Sequence, residues 1–347
     1  MNILIVKLSA IGDVVHTLPS LAALRRGYPH AHITWVIEED SADIIAGHPA
    51  LDRAVVSRRK GWLQNLRELS HVRETSSDIR LFIETLRDRR YDLVIDFHGL
   101  LKSSVMVFLS GGKRKMGYDS MQELSGLFLN EKVHEDMNKH AVDRYLDLVR
   151  HLGLHPGAPD FYIPVEDENR QRVGHLLAEQ RISPHDPFVS INPVALWDTK
   201  MWDDGKFASL CDRIIKEVKL PVVFTGGRDG KPIERIRSRM RLPSLDLSGQ
   251  TTLRDLAYLY ARSVLVVTTD SGPMHVAAAV GTPTVALFGP TDPERTGPYG
   301  PGHTVIRAGL SCSPCFLKRC ETMRCMEEIS VEEVFQAVLK KTEVGMQ

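Results

Sequence analysis

Residues 1–13 read MNILIVKLSAIGD. The run ILIV is short, continuous and β-branched, Lys7 ends it, and Gly12 and Asp13 open an amphipathic stretch that continues to residue 27. An apolar strand that runs directly into a helix is the building unit of a parallel sheet covered on both faces. The run starts against Met1 with no basic leader, and an acid soon follows it, so it reads as a first β-strand and not as a secretory signal. The same alternation recurs along the 347 residues. Strand-like runs lie at 2–7, 32–37, 54–57 and 92–97, then at 188–192, 221–225, 264–268 and 283–288, with weaker ones near 244–247 and 304–307. Helical patterns fall near 13–27, 78–90, 139–152, 204–218, 252–262 and 273–280. The segment 155–164, HPGAPDFYIP, holds three Pro and a Gly and reads as a linker. The expectation is two doubly wound α/β domains in series.

Composition excludes several classes of function. Lys+Arg and Asp+Glu are each 44, so the net charge is zero. A general nucleic-acid binder needs a cationic excess to neutralise phosphates. With 43% hydrophobic and 25% charged residues the chain is globular, not disordered. No apolar run reaches the roughly 18 residues of a membrane span. Five cysteines without an export signal point to a reducing cytoplasm. The neutral total hides a local excess: residues 53–90 carry ten Arg/Lys against five Asp/Glu, and 102–115 add four more with no acid. That excess is either a solvated helix face or a surface for an anionic partner.

Turns at strand ends carry the candidate chemistry. In KLSAIGD (7–13), Ser9 and Gly12 are candidate cleft backbone, and Gly12 lets the chain approach a ligand closely. Asp13 is either a first-turn acid that complements the helix dipole or a general base. In TTDSGPMH (268–275), Asp270 or Ser271 can cap the next helix and Pro273 suits its first turn. Gly272 beside free helix N–H groups suits a diphosphate, and His275 can donate to a phosphate oxygen. An ordinary capped helix is the alternative. In NPVALWDTKMW (192–202), Lys200 is either a neutraliser of leaving-group phosphate or a surface lysine in a Trp-anchored loop. TGGRDGKP (225–232) only superficially matches a P-loop, because Thr225 and Pro232 replace the Gly and Ser/Thr that the loop needs. Asp229 there is a ribose acceptor or, more simply, a turn residue. No G-x-G-x-x-G dinucleotide fingerprint and no D-x-D pair occurs. Cys312, Cys315, Cys320 and Cys325 form a C-x2-C-x4-C-x4-C array, which suits a tetrahedral thiolate site for zinc or iron or is simply four reduced thiols. Cys211 stands alone on an amphipathic helix as a core residue.

Taken together, these residues resemble the ADP-heptose:lipopolysaccharide heptosyltransferases, a family of GT-B glycosyltransferases. The resemblance covers nearly the whole chain. It is most specific at 6–19 (VKLSAIGDVVHTLP), 96–103 (DFHGLLKS), 199–202 (TKMW) and 270–290 (DSGPMHVAAAVGTPTVALFGP). The first two look most like the heptosyltransferase I branch. The resemblance implies two Rossmann-like domains facing a cleft: 1–160 for the acceptor, 165–328 for the nucleotide sugar, and a helix within 329–347 that packs back on the first domain. It implies an inverting transfer of heptose from ADP-L-glycero-D-manno-heptose to the Kdo/inner-core region of lipopolysaccharide. Asp13 would be the base. Lys200, Asp270, Ser271, Gly272, Met274, His275 and Asp229 would bind the donor. Arg58, Arg59, Lys60 and Lys102 would bind the acceptor, Kdo-lipid A or inner-core lipopolysaccharide. No cofactor serves catalysis, and the cysteines are a candidate structural zinc or iron site. The enzyme would be cytoplasmic, peripheral to the inner membrane, with no nucleic-acid partner. A heptosyltransferase for a protein or another oligosaccharide, and a non-catalytic nucleotide-binding module, are the rival readings. Two departures from the family pattern stand out: Ala195 and Leu196 replace hydroxyl residues before the lysine, and Gln122 and Glu123 replace an Arg-Glu pair.

Overall fold

The computed structural model describes all residues except 121–125, 180, 184–185 and 346–347, and the side chains of 344 and 345. The chain divides into two compact units, Met1–Pro164 and Val165–Gln347. The division falls at the end of the proline-rich segment.

Unit 1 is a six-stranded parallel sheet: β1 (Asn2–Val6), β2 (His32–Glu38), β3 (Arg53–Ser57), β4 (Leu93–Asp96), β5 (Arg114–Tyr118) and β6 (Glu131–Val133). Its spatial order is β3-β2-β1-β4-β5-β6. The central strand β1 pairs Ile3 with Ile33 and Ile5 with Trp35 on one side, and Val6 with Asp96 on the other. Ile3, Leu4, Ile5 and Val6 are all inaccessible to solvent. That is why the run is apolar on both faces of the pleat and does not alternate.

Unit 2 repeats the arrangement with β7 (Val189–Asn192), β8 (Val222–Phe224), β9 (Leu245–Asp246), β10 (Leu265–Thr269), β11 (Thr284–Leu287) and β12 (Thr304–Ile306). The order is β12-β11-β10-β7-β8-β9, again all parallel. Counted from its own first strand, unit 2 has the same order as unit 1, the Rossmann order.

The structure adds elements that the pattern does not announce. β5 and β6 read RKMGY and EKV. β6 is the edge strand and β5 its inner neighbour, and their charged residues leave only part of each strand covered. The helix Arg59–Arg67 has no fully buried residue, and its contact with the core is Trp62, edge-on to Phe82 with ring centroids 5.3 Å apart. The helix expected over 204–218 is α-helical over Asp204–Arg213, passes through a π-helical turn at Ile214–Val218 and stops where Lys219 takes φ 65°. The helix Leu101–Leu109 is a further addition, and it supports the loop that follows β4.

The helix Val331–Gly345 was expected against the first domain. Its Val334, Phe335 and Val338 are part of the buried core of unit 2, with Trp202, Phe207 and Val285. The helix is apolar on the face that covers the sheet of its own unit, and the Arg213 guanidinium lies 3.8 Å from the Phe335 ring centroid. Truncating a buried Phe costs about 3–5 kcal/mol. Phe335→Ala should therefore lower hydrogen-exchange protection of β10–β12 by that amount. Unchanged protection would show that this helix is dispensable to the core.

Candidate functional site

In a doubly wound sheet, ligands sit beyond the carboxyl ends of the strands where the order reverses, because the two flanking connections leave toward opposite faces. Unit 1 reverses between β1 and β4, and unit 2 between β7 and β10.

At the end of β1 the chain enters the helix Ile11–Gly27, and Asp13 is in its first turn. One carboxylate oxygen, Oδ2, accepts from the Ala10 amide at 3.2 Å. The other, Oδ1, accepts from the Tyr145 hydroxyl at 3.2 Å and lies 3.8 Å from Lys7 Nζ. Lys7 donates to the Phe97 carbonyl at 2.9 Å and to the Tyr145 hydroxyl at 2.6 Å. The Asp13 side chain is 43% exposed, while that of Lys7 is 4% exposed. Burial alone would raise the Asp13 carboxyl, but Lys7, the Ala10 amide and Tyr145 outweigh it and hold it below the ordinary carboxylate range. The result is an ionised carboxylate with an open side.

The adjacent loop after β4 is shaped by Asp96. It is buried, and it accepts from the amides of His98 (2.8 Å) and Gly99 (3.2 Å) and from the Ser103 hydroxyl (2.8 Å). Gly99 takes φ 67°, which lets the chain turn back under this carboxylate. Both ring nitrogens of His98 are buried without a hydrogen-bond partner. Burial, reinforced by the charges of Lys7 and Lys102, brings its pKa down to about 2, so the ring is neutral.

The basic residues are placed differently from a free cationic patch. Lys102 Nζ donates to Ser9 Oγ at 2.6 Å and lies 3.8 Å from Glu38. Arg59 donates to Glu38 Oε1 at 2.9 and 2.8 Å, Lys60 pairs with Asp40 at 2.5 Å, and Arg58 lies 3.7 Å from Glu39. The acids are Glu38, Glu39 and Asp40, at and just beyond the end of β2. Their run in the sequence was the signal that the basic run had local partners. Gln122 and Glu123 lie outside the described residues.

Unit 2 holds Lys200 and Asp270 in contact, 2.6 Å from Nζ to Oδ2. Here the exposures are reversed: the acid is 5% exposed and the lysine 16%. Thr291 donates to the same Oδ2 at 2.5 Å, and Lys200 sits 4.5 Å from the Trp197 ring centroid. Asn192, at the end of β7, donates to Ser271 Oγ at 3.3 Å. Asn192 Oδ1 and Thr269 Oγ1 are buried without partners. Ser271 is the N-cap residue of the helix Gly272–Ala279, and its side chain caps no N–H; Pro273 has none to offer, and the Met274 amide donates to the Ser271 carbonyl at 3.1 Å. His275 is nearly buried in that turn. Met274 faces the other way, packed on Ala286 and Phe288 in the core. Asp229 is an exposed turn residue whose Oδ1 accepts from the Lys231 amide at 3.2 Å.

The cysteine array forms an exposed loop: Cys312, Cys315 and Cys320 are exposed and Cys325 is half-buried. Burial raises the Cys325 thiol, and the neighbouring Cys315, Cys312 and Cys320 raise it further, so the four share one locality. Among the described residues, however, no group of three or more His, Cys, Asp or Glu is arranged to hold a metal ion. The donor types suit zinc or iron, but their positions as described do not make a ligand set.

Sequence reasoning missed Tyr145, and quoted Lys7, His98 and Asn192 without a role. Tyr145 has no local signal: it comes from the helix Ala141–His151, 132 residues beyond Asp13.

Comparison with known proteins gives consistent matches. The model for "Glycosyltransferase family 9 (heptosyltransferase)" matches residues 79–325. Lipopolysaccharide heptosyltransferase 1 of Pseudomonas aeruginosa is 32% identical over 328 residues, covering 92% of this chain and 87% of that protein. A family 9 glycosyltransferase from Veillonella parvula superposes with a TM-score of 0.85 at 25% identity, over 99% of this chain and 97% of that one. The E. coli heptosyltransferase WaaC, solved with ADP-2-deoxy-2-fluoro heptose, superposes with a TM-score of 0.75 at 25% identity, over 98% and 99%. The family model covers well over half of the sequence, the match to the Pseudomonas protein covers nearly all of it, and the chain therefore belongs to glycosyltransferase family 9, the heptosyltransferases.

Proposed function

We propose that this chain is an inverting glycosyltransferase that moves heptose from ADP-L-glycero-D-manno-heptose to the Kdo/inner-core region of lipopolysaccharide. The observation that carries the reading is the Asp13 carboxylate, ionised, half-exposed and held at the switch point of unit 1. As the acceptor hydroxyl attacks the anomeric carbon, its O–H bond breaks and the proton passes to Asp13. A new C–O bond forms, the bond to the diphosphate breaks, and ADP leaves with the electron pair. A single displacement inverts the sugar carbon and needs no second carboxylate nucleophile. The relatives' names and the sugar-nucleotide analogue in the E. coli structure support the donor and acceptor classes.

In unit 2, Lys200 and the Gly272 amide at the start of the helix Gly272–Ala279 balance the charge of the departing diphosphate. Asp270 and Thr291 hold Lys200 in place, His275 donates to a phosphate oxygen, and Met274 supports the turn from the core side. Asp229 stands at the ribose side of the pocket. On the acceptor side, Lys102, Arg59 and their neighbours Arg58 and Lys60 meet phosphate and Kdo carboxylate, with Ser9 and Gly12 as backbone of the pocket. These cations exchange partial pairing with Glu38–Asp40 for the ligand. We place the enzyme at the cytoplasmic face of the inner membrane. No helix among the described residues is long and apolar enough to cross a membrane. The exposed Leu63, Leu66 and Leu69 beside Arg67 support a peripheral contact. The chemistry needs no cofactor, since lysine and helix dipole supply the charge. For the cysteine loop we propose a structural zinc or iron ion, which would require the three exposed thiols to close on Cys325.

Purified enzyme with ADP-heptose and Kdo-lipid A should form product. ADP binding with no turnover on any acceptor would instead favour a non-catalytic module. A general base contributes about 10²–10⁴-fold, so Asp13→Asn should keep ADP affinity and lose turnover by that factor. Near-normal turnover would reduce Asp13 to an acid that complements the helix dipole. Lys200→Ala removes a charge-assisted contact of roughly 1.5–3 kcal/mol, and calorimetry should show ADP affinity falling accordingly. Unchanged affinity and rate together would exclude the lysine. Elemental analysis of fully reduced protein, purified without a histidine tag, should find close to one metal per chain. A content below about 0.1 would leave the cysteines as free thiols.

A further inference from the structure

We propose that Lys7 and Tyr145 are positioning residues for the base: the Tyr145 hydroxyl, gripped by the Lys7 ammonium, aims its proton at Asp13 Oδ1 and fixes the carboxylate for the acceptor. The inference rests on the reading of Asp13 as the base and extends it.

Donor and acceptor accounting gives the direction. A lysine ammonium has three donors and no acceptor. Lys7 Nζ lies 2.6 Å from the Tyr145 oxygen, so at this contact Lys7 donates and the tyrosine oxygen accepts. The hydroxyl proton is then free to be donated elsewhere, and Asp13 Oδ1 lies 3.2 Å away. A second Lys7 proton is taken by the Phe97 carbonyl at 2.9 Å. Lys7 and Asp13 themselves are 3.8 Å apart, too far for a direct hydrogen bond. The buried cation therefore acts on the carboxylate by charge across 3.8 Å and orients it through the tyrosine. The Ala10 amide holds the other oxygen, Oδ2, at 3.2 Å. With one fixed donor on each oxygen the carboxylate cannot rotate, and its exposed side is where an acceptor hydroxyl must arrive.

The wiring also governs when the base is charged. The groups that face Asp13 are Lys7 at the end of β1, His98 from the loop after β4, Lys102 from the helix Leu101–Leu109, and Tyr145 from the helix Ala141–His151. Lys7 in turn is faced by Asp96, Arg144 and Glu135. His98 is neutral throughout the working range, with its pKa pushed down to about 2 by burial and the nearby lysines. Burial pushes the Lys7 ammonium down, and Asp13 and Asp96 act against that. The acidic limb of the rate profile therefore belongs to Asp13. Both the hydroxyl donor and the cation stabilise the charged form, so removing either one raises the pKa of Asp13 and moves the acidic limb to higher pH.

The test compares kcat/KM against pH for the wild type, Tyr145→Phe, Lys7→Met and Asp13→Asn. A parallel ¹³C titration of the Asp13 carboxyl reads the same pKa without turnover. Tyr145→Phe keeps the ring, which packs edge-on against Phe97 with centroids 5.9 Å apart, so the fold is retained. It should lower kcat by about tenfold, leave KM for ADP-heptose unchanged and move the limb up by about one pH unit. Lys7→Met should move the limb in the same direction. If Lys7→Met fails to fold, Tyr145→Phe decides alone. A limb and a carboxyl titration that stay at the wild-type position in Tyr145→Phe overturn the proposal, even if the rate falls, because a structural role lowers rate without moving a pKa. An active Asp13→Asn enzyme overturns the base reading itself, and is distinguished by that variant alone.

Discussion

A parallel sheet whose strand order reverses at its centre must leave a gap, because the connections on the two sides of the reversal climb opposite faces. Everything chemical in this protein follows from having that constraint twice. In unit 1 the gap opens above β1 and β4, in unit 2 above β7 and β10. Register brings the gap's edges level: Val6 pairs with Asp96, and Asn192 with Thr268. The turns that leave these strands are therefore neighbours whatever their distance in sequence. The strands themselves are too buried to vary, so the chemistry lies in the turns.

Each gap holds a lysine and a carboxylate, and the two pairs are wired in opposite senses. In unit 1 the cation is interior and the acid looks out. In unit 2 the acid is interior and the cation is the more accessible partner. Burying a charge is costly unless it is paired and hydrogen-bonded. Each interior member is satisfied accordingly: Lys7 by a carbonyl and a phenol, Asp270 by Lys200 and the Thr291 hydroxyl. The outward member inherits a fixed position and a biased charge state. An outward carboxylate held ionised can take a proton, and an outward ammonium held in place can meet a phosphate. The division of labour proposed for the two units is thus an electrostatic consequence of which partner is buried.

Much of this was legible from residue order. Strands such as 2–7 and 264–268 announce themselves because burial on both faces demands uninterrupted apolar residues. The turns beyond them carry Gly12, Asp13, Asp270 and Ser271 in view. β5 and β6 were not legible, because RKMGY and EKV, beside and at the sheet edge, keep only part of their length covered and have no periodicity to detect. The helix Val331–Gly345 was visible as a helix, but its partner was not, since an apolar face does not specify which sheet it covers. The basic run at 58–60 suggested open cations, while β2 delivers Glu38, Glu39 and Asp40 beside it. Tyr145 had no local mark, because its function depends on a contact across 132 residues.

The cysteine loop gains a clearer meaning from what it touches. Its backbone is tied to the turn after β11: the amides of Cys315 and Phe316 both donate to the Pro290 carbonyl, at 2.9 and 2.8 Å, and Ser313 Oγ donates to the Gly289 carbonyl at 2.6 Å. Its far side is tied to the lysine loop, where Thr199 Oγ1 donates to the Leu317 carbonyl at 2.9 Å and Lys318 lies 5.2 Å from the Trp197 ring centroid. Trp197 is also the ring beneath Lys200. The cysteines thus sit on a strap between the turn that carries Thr291 and the loop that carries Lys200. Exposed loops of this length have little buried apolar surface to order them, and their local stability is correspondingly low. Anything that closes the four thiols together would stiffen the strap and, through Thr199 and Trp197, the loop of Lys200.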